Sequence, residues 1–84
     1  EARIITDNDI SLIRSKQSGF FLPNVDHAAY IQPGDLIGEI IDPLNGVILE
    51  EIRATKKGQI MTIHEFPVIY KGSLLARVLE VNHE

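Results

Sequence analysis

No cysteine occurs in this 84-residue chain. That one absence removes disulfide bridges, thiolate catalysis and cysteine-held zinc together, and it fits a cytoplasmic location, which is the expected one. Tryptophan is also missing, and aromatic residues make up only 6% of the chain. No block of basic residues interleaved with aromatics is present, and the formal net charge is −4, so nothing favours a nucleic-acid partner. Uninterrupted apolar runs are only a few residues long, too short for a membrane span or for the core of a signal peptide. A chain of this length makes one domain and buries only about 60% of the surface its unfolded form exposes. Such a domain leaves little room for a deep active site of its own. Its first residue is Glu1 and not Met, and the expectation is an excised piece of a larger protein.

What is present is aliphatic. Val, Ile and Leu occur in short runs punctuated by Gly, Pro, Asn and Asp, and no window sustains a capped helical stripe. The pattern predicts an all-β fold with strands at 3–5, 10–14, 19–22, 36–41, 47–54, 59–63 and 74–81. Thr6-Asp7-Asn8-Asp9, Pro33-Gly34-Asp35 and Asp42-Pro43-Leu44-Asn45-Gly46 are turn sequences. The last of these is the clearest hairpin loop, because Asn-Gly accepts positive φ at low cost.

An internal repeat organises these strands. Residues 13–19 (IRSKQSG) lie over residues 52–58 (IRATKKG) at an offset of 39, with Ile, Arg and Gly identical. One deletion later the offset is 38, and Ile31, Gly34 and Leu36 lie over Ile69, Gly72 and Leu74. Two copies of one β-unit, neither able to bury its apolar face alone, would pack about a pseudo-twofold axis. The halves fall at about 10–46 and 47–81, within a single β-domain spanning 1–84. The small fold with this symmetry is the barrel-sandwich hybrid of biotinyl and lipoyl carriers. A carrier displays its modified lysine at the tip of one hairpin. Here the equivalent tip, residues 42–46, has none, and Lys16, Lys56, Lys57 and Lys71 all sit beside the repeat glycines. Cofactor attachment is therefore not expected.

The ordered segments Ser18-Gly19-Phe20-Phe21-Leu22-Pro23, Val25, the run from Ile31 to Ile40, Leu49 to Ala54 leading into Gly58, and Phe66 to Gly72 resemble the C-terminal domain of the succinylglutamate desuccinylase/aspartoacylase family. The resemblance covers about residues 10 to 80. It implies a parent with an N-terminal α/β catalytic domain carrying one zinc ion and cleaving N-acyl amino acids or related amides and esters. The β-domain would pack beside that active site and shape access to it, with the catalytic domain of its own chain as its partner; homo-oligomerisation is left open. The family's zinc ligands, a His-x-x-Glu pair and a later His, match no position here. This segment is thus expected to hold no catalytic, cofactor-binding or metal-binding residue. Two departures stand out. Ala28 takes the place of a frequent Gly, which brings the local turn geometry into question, and Ala54-Thr55 replaces a frequent Ala-Pro.

The residues that invite a site are few. His64-Glu65 would need a second His at position 68 on a helix to make a zincin motif, but that residue is Val68 and Pro67 would break the helix. His27, His64 and His83 are far apart in sequence, with only scattered carboxylates around them. Asp7 and Asp9 lack the regular oxygen spacing of a calcium loop. Glu50 and Glu51 alternate across a strand and cannot work as an acid–base pair on one face. Tyr30 and Tyr70 occupy nearly corresponding places in the two halves and are expected at a surface or interface. Phe20, Phe21 and Phe66 are expected in the core or at a docking face, with Phe66 and Tyr70 the docking candidates.

Overall fold

The computed structural model describes residues 10–80. Eight strands follow in order: β1 (Ile10–Arg14), β2 (Gly19–Pro23), β3 (Tyr30–Ile31), β4 (Leu36–Ile41), β5 (Ile48–Arg53), β6 (Gly58–Ile63), β7 (Val68–Ile69) and β8 (Leu74–Glu80). They form two antiparallel four-stranded sheets, ordered β1-β8-β6-β3 and β5-β4-β2-β7. No helix occurs among the described residues. The strand read at 3–5 lies outside the described residues. Sequence reading placed no strand at β3 or β7, because two residues are too few to show alternation.

The two sheets are built alike. Replacing each of β1–β4 by the strand four places later, and each of β5–β8 by the one four places earlier, turns the first sheet order into the second. Each sheet therefore combines two strands from β1–β4 with two from β5–β8. The first three strands of the halves start at Ile10, Gly19 and Tyr30 and at Ile48, Gly58 and Val68. The core lies between the sheets and holds Phe21, Ile31, Ile37, Ile40, Ile52, Ile60, Ile69, Leu75 and Val78. Burying each such side chain contributes roughly 1.5–3 kcal/mol.

The repeated residues have separable physical reasons. Arg14 Nη1 donates to the Gly72 carbonyl at 3.1 Å, and Arg53 Nη1 donates to the Gly34 carbonyl at 2.9 Å. Each arginine thus ties its own half to the glycine turn of the other. Backbone bonds repeat the clasp: Ser15 N–H donates to Ser73 O and Gly72 N–H to Ser15 O, matched by Ala54 N–H to Asp35 O and Gly34 N–H to Ala54 O. Gly34 and Gly72 have φ of +94° and +89°, which a side chain resists. Gly19 and Gly58 are needed for close strand approach: a Cβ there would overlap the carbonyl oxygens of Ile41 and Leu79, respectively, and Gly19 also has φ +157°.

Ala28 answers the question raised by its sequence. It adopts φ +70°, the conformation that a glycine would take without penalty, while its N–H donates to Ile60 O at 2.7 Å and its carbonyl accepts from Gln59 Nε2 at 3.0 Å. The turn is kept in its glycine-like geometry, and the alanine carries the strain.

Candidate docking surface

Side chains directly opposite one another in neighbouring strands share a face of the sheet. Val68 lies opposite Phe20, Phe20 opposite Ile41, and Ile41 opposite Ile48. Their strand neighbours Ile69, Phe21 and Ile40 point into the core, so this row points outward. The β5-β4-β2-β7 sheet therefore carries Val68, Phe20 and Ile41 as an apolar row on its outer face, and half-exposed Ile48 adjoins it across a register shift in the β4–β5 pair. The corresponding row on the other sheet, Tyr30–Gln59–Leu79–Ile10, is broken by Gln59, whose amide is occupied by the Ala28 carbonyl.

The stripe runs into the β4–β5 hairpin. Its loop is held at four points. Asp42 N–H donates to Val47 O and Gly46 N–H to Asp42 O, both at 2.8 Å. Leu44 N–H donates to Asp42 Oδ1 at 2.8 Å and Val47 N–H to Asn45 Oδ1 at 2.9 Å. These side-chain bonds are the local mimicry of backbone turns that makes Asp and Asn turn-formers. The loop displays Leu44 at 94% exposure, with Val47 and Ile48 also about half exposed at 54% and 49%.

Of the aromatic candidates, Phe21 is core and Phe20 is half-buried in the outer stripe. Phe66, Tyr30 and Tyr70 are exposed. Tyr70 flanks the stripe together with Ser18 and Pro43, whereas Tyr30 lies on the other sheet. The two tyrosines thus do not share a site. Phe66 packs edge-on against the His64 ring, with centroids 6.2 Å apart.

Folding does bring two of the histidines together. His27 and His64 line one open groove with Pro23, Val25, Asp26, Ile63 and Glu65; their separation in sequence hid this. His83 lies outside the described residues, as do Asp7 and Asp9. Nε2 of His64 is buried without a hydrogen-bond partner among the described residues, and no group of three or more metal-ligating side chains is assembled among them. Glu50 and Glu51 separate as alternation requires: Glu50 accepts the Lys16 N–H at 2.9 Å, and Glu51 pairs with Arg53 at 3.2 Å in solvent. No helix among the described residues is long and apolar enough to cross a membrane.

The geometry is that of an all-β module with an exposed apolar hairpin tip and an outer apolar row, and solved structures share its fold. A Shewanella frigidimarina protein assigned to the succinylglutamate desuccinylase/aspartoacylase family matches with a TM-score of 0.77 at 10% identity, over 88% of this chain and 21% of its own. The ectoine utilization protein EutE (DoeB) from Ruegeria pomeroyi matches with a TM-score of 0.73 at 28% identity, over 94% of this chain and 24% of its own. Kluyveromyces lactis urea carboxylase matches with a TM-score of 0.66 at 24% identity, over 93% of this chain and 7% of its own. The chain is thus similar in structure to a domain of succinylglutamate desuccinylase/aspartoacylase family proteins, spanning 20–25% of the length of those it matches. No family sequence model matches the chain, and no curated protein matches it by sequence.

Proposed function

We propose that the chain is a non-catalytic C-terminal accessory domain of a cytoplasmic zinc-dependent deacylase that acts on N-acyl amino acids or related amides or esters. It packs beside the active site of an N-terminal catalytic domain and shapes access to it. The observation that carries this reading is the structural match to succinylglutamate desuccinylase/aspartoacylase family proteins over nearly all of this chain and a quarter or less of theirs. The exchange of equivalent strands between the two sheets supports a barrel-sandwich hybrid with halves at about 10–46 and 47–81. With Leu44 in place of a lysine at the hairpin tip, it is a hybrid without carrier function. The urea carboxylase likeness shows that this architecture also sits in a differently named protein, so fold alone does not choose the activity.

Among the described residues none are grouped to hold a zinc ion: His27 and His64 share a groove with Asp26 and Glu65, but no three of them are placed to share a metal, and the His64 Nε2 is buried. Zinc in this reading belongs to the catalytic domain. The test is the reading frame upstream of Glu1. A few hundred open codons with a His-x-x-Glu pair and a later His, followed by one zinc per chain and hydrolysis of N-acyl amino acids by the full protein, support the proposal. A start codon immediately upstream overturns it and leaves a stand-alone β-module.

A further inference from the structure

We infer that the β4–β5 hairpin is a rigid apolar peg that seats Leu44 in an uncharged pocket on the catalytic portion of the longer chain; the inference rests on the accessory-domain reading above. Leu44 is the most exposed large apolar residue among those described, at 94%. Its loop is not free to fold it away, because two backbone bonds and the carboxylate and amide of Asp42 and Asn45 fix the tip. Preorganised apolar anchors of this kind lose little conformational freedom on docking.

The chemistry of the tip selects its partner. Asp42, whose carboxylate accepts the Leu44 N–H, is the one charged side chain from 42 to 49, although charged residues make up 24% of the chain. Phosphate-bearing partners and anionic membranes require Lys or Arg at the contact, and the chain carries a net charge of −4. An uncharged protein pocket is the complementary surface. This fold makes up 20–25% of each matched family protein, and the larger remainder of such a chain is the partner to which the inference commits. The apolar row of Phe20, Ile41 and Val68, with Ile48 beside it, then extends the contact beyond the peg.

The test is hydroxyl-radical footprinting of the 84-residue chain beside the full open frame that contains it. Leu44 is expected to be oxidised about tenfold more slowly in the longer protein, reflecting a docked population near nine-tenths. Leu44→Asp should return Val47 and Ile48 to the rate of the short chain, and Leu44→Met should keep them protected. Both variants should leave the far-UV circular dichroism unchanged, since position 44 lies in solvent. Equal oxidation rates in a longer chain that holds zinc overturn the peg and spare the accessory reading. A frame with no zinc-binding segment overturns both. Protection that rises with concentration in the short chain, with doubled mass in light scattering, assigns the tip to a second copy and overturns the inference, as does binding to phosphatidylcholine vesicles.

Discussion

Replacing Ala28 by glycine should make this protein more stable. The residue sits at φ +70°, where an L side chain costs roughly 1–2 kcal/mol. Glycine removes that cost but adds unfolded-state freedom worth about 0.4–1 kcal/mol against folding. The methyl group lost is exposed, so little apolar burial is forfeited. The net expectation is a gain of about 0.5–1 kcal/mol, and for a domain of this size each kcal/mol moves Tm by about 4–8 °C. Urea titration followed by circular dichroism is the assay of choice, because the chain has no tryptophan. The midpoint should rise with the slope unchanged. Ala28→Val should fall below the parent, because a β-branched side chain tolerates this φ worst. A glycine variant no more stable than the parent would refute the argument, since it would mean that the chain pays nothing at position 28.

Other substitutions probe the remaining contacts. Gly58→Ala drives a methyl into the Leu79 carbonyl and the Val78 side chain and should cost about 1–3 kcal/mol in the same titration. Ile37→Ala, at a fully buried site, should cost about 2–5 kcal/mol through lost transfer energy and the cavity left behind; a loss under about 1 kcal/mol would place Ile37 outside the packed core. Changing Phe66 and Tyr70 together to serine should leave the 84-residue chain as stable as before, because both side chains are exposed. The same pair should lower the thermal stability of the longer protein if this end of the domain docks, and an unchanged melting curve counts against their role.

The all-β class and the hairpin at residues 42–46 were legible in the sequence because each has a local cause. Short aliphatic runs, Asn-Gly chemistry and recurring glycines act over a few residues. The repeat also pointed to Arg14 and Arg53, but it did not disclose that each arginine reaches the glycine turn of the opposite half; a hydrogen bond across 58 residues leaves no local signal. The two-residue strands β3 and β7 were invisible for a related reason: their identity comes from the partners β6 and β2, not from any periodicity of their own. The groove shared by His27 and His64 belongs to the same class, since 36 intervening residues separate them in sequence and only packing brings them together. Alternation along a strand also fixed that Phe20 and Phe21 face opposite ways. Which of the two entered the core was decided by the strands beside β2, where Ile40 and Ile69 are buried and Ile41 and Val68 are left to the outer face. Local chemistry thus set the elements and their turns. Tertiary pairing alone decided which apolar residues remained on the outer face of the sheet, because a side chain's exposure depends on neighbours that the sequence places far away.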